Sequence, residues 1–307
     1  MENSSSEELE QLKKRYKISN YLFEQIAQGI IQQYTNGYSS NPSPTAIITG
    51  AQPGAGKTEL QKLAEHKLNA NIVICNADNF RDFHPSAQEI KSKYPEQYPE
   101  LTAIYAQKWN DLLSQYRRDN QLNYILETTF SSGQRLNETI FELKIMGYNV
   151  DIMLLAVPPK LSLLGTYMRF EESIEKNNLG RKVSKEAHDS RFNAILKTIN
   201  AISNEKLFDN IYIYSRSIVL KYTNLVEGVT LIAHNPKDIQ SVFLEEINNE
   251  WQPKLKEYFK NSCHDILKKM EKRSAPQSEI DLFIKELGLE VIPAQKTEIP
   301  RKRGRRM

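Results

Sequence analysis

Hydrophobic and polar positions follow two different periods along most of this chain. Short apolar segments rich in β-branched residues predict strands at Thr45–Gly50, Asn71–Asp78, Asn123–Thr129, Tyr148–Val157 and Asn210–Arg216. Apolar residues at helical spacing predict helices between them, over 57–67, 101–118, 134–146, 160–176 and 185–202. Near-continuous apolar strands separated by helices indicate a mainly parallel sheet that is covered on both faces, which is an α/β fold.

The pattern changes towards both ends of the chain. Residues 7–33 show helical spacing before the breaker segment Thr35–Pro44, and a charged helical pattern follows Pro236. The segment Val219–Asn224 is expected to add an edge strand or a hairpin. We therefore expect three parts: an N-terminal helical segment (1–40), a central α/β domain (41–235) and a helical C-terminal extension with a basic tail (236–307).

Composition narrows the class of protein. A hydrophobic fraction of 39% is enough for a core, and a net charge of +3 does not favour a nucleic-acid binder, although Arg301–Met307 is strongly basic. The two cysteines, Cys75 and Cys263, form neither a disulfide framework nor a metal-ligand spacing. With no signal-peptide pattern and no apolar run long enough to cross a bilayer, we expect a soluble, cytoplasmic protein.

The strongest chemical signal is the stretch ITGAQPGAGKTEL at 48–60. A strand, a glycine-rich loop and a helix in this order place backbone N–H groups and a helix N-terminus around phosphate oxygens. Ala51 stands where the strict phosphate-loop pattern begins with glycine. We expect Lys57 to reach the β- and γ-phosphates and the Thr58 hydroxyl to bind Mg²⁺. The predicted nucleotide-binding residues are Gln52, Pro53, Gly54, Ala55, Gly56, Lys57 and Thr58.

Acidic and basic residues beyond the loop favour a kinase over a molecular switch. Asp78 ends the second predicted strand, where it is either a base for an acceptor hydroxyl or a helix cap. Glu127 and Thr129 lie at the end of the third strand, on one side of it. Arg169 and Arg181 follow the fourth strand, in the interval where kinases of this fold carry lid arginines.

Five segments in this order and spacing resemble the zeta toxins, which are bacterial toxin–antitoxin kinases. They are SPTAIITGAQPGAGKTEL, NADNFRDFHP, ILETT, AVPPKLSLLGTYMRFE and GRKVSKEAHD, and together they extend over about 43–214. The block with AVPPKLSLLGTYMRFE is more specific than the glycine-lysine-threonine loop. The resemblance implies a P-loop NTPase/kinase fold with a helical C-terminal extension.

The resemblance assigns roles to residues on the nucleotide side and to the catalytic base. Lys57 matches the phosphate-binding lysine and Thr58 the metal-ligating hydroxyl. Asp78 matches the base that activates the sugar hydroxyl. Arg169 and Arg181 match the two arginines that contact the γ-phosphate.

On the acceptor side the chain both follows and departs from the family pattern. Glu127 and Thr129 match a sugar-binding pair, with Thr128 in place of the glycine between them. Asp111 falls where the family has a substrate-contacting glutamate, and Ser131 stands where a substrate-binding arginine is usual. These differences surround the acceptor rather than the nucleotide.

The resemblance implies an ATP- and Mg²⁺-dependent kinase that phosphorylates UDP-N-acetylglucosamine on the amino-sugar ring. It also implies inhibition of cell-wall synthesis and a separately encoded small helical antitoxin. Two alternatives remain open at this point. One is a kinase for another small acceptor, such as a nucleotide cofactor or an antibiotic, and the other is a nucleotide-dependent binding or regulatory module.

Overall fold

A six-stranded sheet forms the centre of the molecule. The computed structural model describes residues 2–128, 130–176, 182–221 and 224–289. The strands are β1 (Thr45–Gly50), β2 (Val73–Cys75), β3 (Tyr124–Thr128), β4 (Asn149–Ala156), β5 (Asn210–Lys221) and β6 (Asn224–His234). Their order is β2-β3-β1-β4-β5-β6, with the first five parallel and β6 antiparallel to β5. The predicted mainly parallel sheet is confirmed.

Helices connect the strands and extend from both ends of the α/β region. They are α1 (Glu2–Arg15), α2 (Asn20–Thr35), α3 (Lys57–Lys67), α4 (Ala87–Lys93), α5 (Tyr98–Asp119), α6 (Gly133–Ile145), α7 (Pro159–Glu175), α8 (Lys185–Glu205), α9 (Ile239–Asn248), α10 (Pro253–Lys272) and α11 (Gln277–Glu286). A short 3₁₀ helix, Ala77–Phe83, follows β2. No helix in the described ranges is both long and apolar enough to cross a bilayer.

Successive side chains of the central strands belong alternately to two separate hydrophobic cores. Ile48 and Ile152 join a cluster with residues of α2, α5, α6, α8 and α9. Their neighbours Ile47 and Met153 join a second cluster with residues of α3, α7, α10 and α11. Successive side chains of a strand point to opposite faces, so this division is what a sheet covered on both sides requires.

Two strand boundaries differ from those expected. The strand predicted over 71–78 ends at Cys75, because the Asn76 side chain accepts a hydrogen bond from the Asp78 backbone N–H and starts the 3₁₀ helix. At the other edge, β5 continues past Arg216 to pair with β6, with Lys221 opposite Asn224. The hairpin alternative for this segment is therefore confirmed.

The helices after residue 236 pack onto the sheet and onto α7. On one face Phe243 of α9 is fully buried in the first core, and on the other Phe283 of α11 meets Tyr167 of α7 edge-on at 4.8 Å. Lys269 of α10 also pairs with Glu175 of α7 at 2.8 Å. A helical C-terminal region is thus present, whereas the division of the chain into three parts stays a prediction.

Candidate nucleotide and acceptor site

The loop between β1 and α3 is packed directly against helix α7. Gly54 has φ +77°, a conformation that L side chains rarely adopt, and a Cβ there would lie 2.0 Å from the carbonyl oxygen of Ser162. A Cβ on Gly165 would lie 2.1 Å from the carbonyl oxygen of Gly54. Glycine is therefore needed on both sides of this contact, which holds the loop in its cradle shape.

A buried hydrogen-bond chain anchors the start of the loop. The Nε2 of Gln52 donates to the carbonyl oxygen of Val157 (2.7 Å) and to the Ser162 hydroxyl (3.2 Å). That hydroxyl lies 2.8 Å from Nε2 of His188 on α8. All four residues are buried. Gln52 therefore joins the loop to α7 and α8, and it faces the protein interior rather than solvent.

Lys57 and Glu127 form an ion pair at the carboxyl edge of the sheet. Nζ of Lys57, at the start of α3, lies 3.0 Å from Oε1 of Glu127, at the end of β3. The other carboxylate oxygen, Oε2, accepts hydrogen bonds from Gln61 (2.7 Å) and Asn76 (3.0 Å). Lys57 is 8% exposed, so this charge pair is largely shielded from water. Two of the predicted residues are thus in direct contact.

Asp78 lies beside this cluster, in the first turn of the 3₁₀ helix. Its side chain is 73% exposed, and Oδ1 accepts a hydrogen bond from Nε of Arg81 at 2.8 Å. The cap of this helix is Asn76, so the helix-cap interpretation of Asp78 is wrong. Because Asn76 binds both the Asp78 backbone and Glu127, it ties the two acids to one corner of the sheet edge.

A narrow cleft runs along the loop. Its volume is about 170 Å³, and its walls include Gly54, Gly56, Thr58, Gly165, Arg169 and Arg216. Arg169 is exposed on α7, and Thr58 is exposed in the first turn of α3. Backbone amides, a hydroxyl and two guanidinium groups are groups that bind a polyphosphate.

Of the remaining predicted residues, Arg181 and Thr129 lie outside the described residues. Asp111 is exposed on α5, where its Oδ1 accepts a hydrogen bond from Gln107 of the same helix at 2.9 Å. Thr102 on that helix reaches Arg81, and Asp111 lies nine residues, or about 14 Å, further along the axis. The role of Asp111 stays a prediction.

The side chains around the proposed magnesium position fit a phosphate-bound ion. The Thr58 hydroxyl stands at the start of α3, next to the loop. No group of three or more His, Cys, Asp or Glu side chains placed to hold a metal occurs among the residues that the structure describes. Mg²⁺ usually keeps several waters and takes substrate phosphates with only one or two protein ligands, so a single hydroxyl is compatible with it.

Sequence reasoning missed three polar residues of the site. Gln61 is one helical turn after Lys57, and that spacing would have placed it on the same face of α3. Asn76 directly follows β2, at the edge where ligands bind in parallel sheets. Arg216 carries no local signal, because only the packing of β5 beside the loop brings it there.

Comparison with known proteins agrees with this geometry. The model of the zeta toxin family matches residues 30–227, nearly two thirds of the chain. Toxin PezT of Streptococcus pneumoniae serotype 4 is 30% identical over 228 residues, which cover 74% of this chain and 87% of that toxin. Toxin zeta of Enterococcus hirae is 26% identical over 211 residues, which cover 68% of this chain and 74% of that toxin.

A solved structure supports the same fold. It comes from the characterisation of the PezAT chromosomal toxin–antitoxin system of Streptococcus pneumoniae and superposes with a TM-score of 0.68 at 24% identity. The match covers 82% of this chain and 98% of the other. With the phosphate loop, the sheet order and the extent of the family match in agreement, the chain belongs to the zeta toxin family.

Proposed function

We propose that this protein is a kinase that transfers the γ-phosphate of ATP to a hydroxyl of the amino sugar of UDP-N-acetylglucosamine. The observation that carries the proposal is the contact between Lys57, which starts the helix after the phosphate loop, and Glu127 on the neighbouring strand. It brings the predicted phosphate-binding lysine and the predicted sugar-binding acid to one edge of the sheet. Membership of the family supports the same reaction class.

On the nucleotide side, the loop would hold the phosphates through its backbone amides. Lys57 would contact the β- and γ-phosphates, and Thr58 would bind Mg²⁺, which supplies charge neutralisation between the phosphates. Arg169, exposed beside the loop, would stabilise the phosphoryl group during transfer, together with Arg181.

On the acceptor side, Asp78 would be the general base. Its exposed carboxylate would take the proton of the sugar hydroxyl as that oxygen bonds to the γ-phosphorus. The bond from the γ-phosphorus to the β–γ bridging oxygen breaks, and ADP leaves. Glu127 and Thr129 would hold the sugar, and Asp111 is a further candidate for substrate contact.

The cellular role follows from the family and from the substrate proposed. Phosphorylated UDP-N-acetylglucosamine would be withdrawn from cell-wall synthesis, so expression of the protein would inhibit growth in the cytoplasm, where this precursor is made. The related PezT comes from a toxin–antitoxin system. We propose that a separate, small helical antitoxin controls this protein as well.

A kinase with a different small acceptor is the second candidate, and the end of β3 favours it. The Thr128 hydroxyl accepts a hydrogen bond from the Phe130 backbone N–H at 3.0 Å, whereas the glycine that is usual in the family at this position has no side chain to make it. Ser131 also replaces the usual arginine. Both changes lie on the acceptor side.

The test is phosphate transfer from Mg²⁺·ATP to a panel of UDP-sugars, nucleotide cofactors and aminoglycosides, read by mass spectrometry. We expect phosphorylated UDP-N-acetylglucosamine, and a loss of kcat of about 10²- to 10⁴-fold in Asp78→Asn. Asp82→Asn is the matched control, because Asp82 is 60% exposed on the same 3₁₀ helix. Transfer only to another acceptor would replace the substrate proposed. Transfer that is unaffected in Asp78→Asn would remove this residue from the mechanism.

A further inference from the structure

Strand β5 places an arginine on the face of the sheet that carries the phosphate loop. Tyr214 and Ile218, two residues before and after Arg216, are buried in the core formed with α3, α7 and α10. Side chains of a strand alternate, so Arg216 points to that same face. Its Nη2 donates to the Tyr258 hydroxyl of α10 at 3.2 Å, which fixes the direction of the guanidinium.

Arg216 belongs to β5 and takes part in the cleft beside the loop. It is only 6% exposed, yet it lines the same 170 Å³ cleft as Gly54, Thr58 and Arg169. Two acids also line this cleft, Glu59 and Glu172. Glu59 is paired with Lys62 at 2.6 Å. The lining therefore combines two arginines from separate elements with residues of the loop and with two acids, of which Glu59 is already paired.

A tyrosine from the C-terminal helices positions Arg216. The guanidinium carbon lies 5.5 Å from the centre of the Tyr258 ring, within the range of a cation–π contact. The same hydroxyl donates to the sulfur of Met168 at 3.9 Å, next to Arg169 on α7. Tyr258 thus links both arginine-bearing elements. It lies in α10, outside the 30–227 segment that matches the family model.

We propose that Arg216 binds the phosphate chain of the nucleotide, and that Tyr258 of α10 holds it in place for this contact. A guanidinium gives phosphate two parallel hydrogen bonds and keeps its charge when buried. The C-terminal region would then complete the nucleotide site rather than only cover the sheet. The proposal rests on the nucleotide half of the proposed function and is independent of the acceptor.

The test measures nucleotide affinity by calorimetry, with ATP, ADP and adenosine as separate ligands and no acceptor present. Arg216→Met should weaken ATP and ADP binding about 10- to 100-fold, the range for loss of a charged hydrogen bond, and leave adenosine binding unchanged. Arg216→Lys should lose less, because it keeps the charge. Tyr258→Phe should weaken ADP binding a few-fold, since the ring remains and the hydroxyl does not.

The matched control is Arg117→Met. Arg117 is another buried arginine, stacked 4.1 Å from the Tyr124 ring, but it lies in α5 and contacts Leu113 and Ser114. The Arg117→Met variant should destabilise the protein to a similar extent without changing its affinity for the nucleotide. Each variant is checked by circular dichroism and thermal unfolding. If Arg216→Met does not fold, the Arg216→Lys and Tyr258→Phe titrations decide.

The outcomes separate the two proposals. The assignment of Arg216 is overturned if Arg216→Met binds ADP with wild-type affinity. If Arg216→Met does not fold, it is overturned when Arg216→Lys and Tyr258→Phe both bind ADP with wild-type affinity. An equal loss for adenosine, or an equal loss in Arg117→Met, overturns it too, because it would be a general effect on the fold. If the wild-type protein bound neither ATP nor ADP, the nucleotide half of the proposed function would fail as well. If ADP binding fell as expected but no UDP-sugar were phosphorylated, Arg216 would stand and only the acceptor would be wrong.

Discussion

An ion pair between Arg273 and the buried Glu171 joins the C-terminal helices to α7, the helix that carries Arg169. Nε and Nη2 of Arg273 donate to the two carboxylate oxygens of Glu171 on α7, at 2.9 and 2.8 Å, and Nη2 also reaches Glu279 at 2.7 Å. Glu171 is 1% exposed. The hydrogen bonds with Glu171, followed by those with Glu279, raise the pKa of Arg273 above its usual range. The Arg273 guanidinium therefore stays charged throughout the ordinary pH range.

Removing one partner of the Arg273–Glu171 pair should lower the free energy of unfolding far more than removing both. Arg273→Met leaves the Glu171 carboxylate buried without its cation, which costs about 3–5 kcal/mol of the free energy of unfolding. For 307 residues, an unfolding entropy of about 2.1 cal/mol/K per residue gives about 0.64 kcal/mol/K. The midpoint should thus fall by about 5–8 °C. Adding Glu171→Gln removes the uncompensated charge, so the double variant should recover part of the loss.

The measurement is differential scanning calorimetry of the wild type, Arg273→Met, Glu171→Gln and the double variant, which gives the unfolding midpoint of each. Lys256→Met is the control, because Lys256 pairs with Glu250 at 2.6 Å at the start of the same helix, α10, where their side chains are 54% and 86% exposed. That exposed pair should be worth no more than about 1 kcal/mol. A shift in Arg273→Met no larger than that in Lys256→Met would refute the reasoning. So would a double variant that is less stable than Arg273→Met.

Three further predictions follow from single contacts. Lys57→Met should lower kcat for phosphate transfer by at least about 100-fold at saturating ATP, in a coupled ADP-release assay; an unchanged kcat would contradict its role. Gly165→Ala should weaken ATP binding measured by calorimetry, because its Cβ would clash with Gly54. The control is Gly29→Ala in α2, where a Cβ meets open space. This variant should bind ATP normally and gain up to about 1 kcal/mol in the free energy of unfolding. Burial lowers the pKa of His84, so the folded state favours the neutral ring, and the stability present above about pH 6.5 is lost as the pH falls through the lowered pKa. His84→Gln should therefore flatten the decline in melting temperature between pH 7.5 and 5.5, and an unaltered decline would show that another group causes it.

The parts of this structure that depend on local sequence were predictable, and those that depend on distant packing were not. The hydrophobic periods predicted the parallel strands, and the glycine-rich loop predicted the position of Lys57, because both signals are encoded in neighbouring residues. The end of β2 was placed three residues too late, since an Asn76 side chain competes with the sheet for the backbone. Arg216 needs Tyr258, 42 residues away in the chain, to be recognised as part of the cleft.

The polar contacts of the candidate site were also only partly predictable from the sequence. Strand ends indicated that Asp78 and Glu127 lie at one edge of the sheet, because ligand sites of parallel sheets form there. The sequence did not indicate that Asn76 joins them through its two side-chain atoms, Oδ1 and Nδ2. Such a bridge depends on a side-chain rotamer and on the register of β2 against β3, which no local pattern encodes.

The position of Glu127 connects the two halves of the proposed reaction. Three donors from α3 and the end of β2 hold its carboxylate, and only one of them, Lys57, would also serve the nucleotide phosphates. A triphosphate carries more negative charge than one carboxylate. It would therefore compete with Oε1 of Glu127 for the ammonium group of Lys57. The amides of Gln61 and Asn76 would still hold Oε2 and keep the side chain in place. Nucleotide binding would therefore turn an ion-paired oxygen into an acceptor for a sugar hydroxyl, so that the acid is presented when the phosphoryl donor is in position.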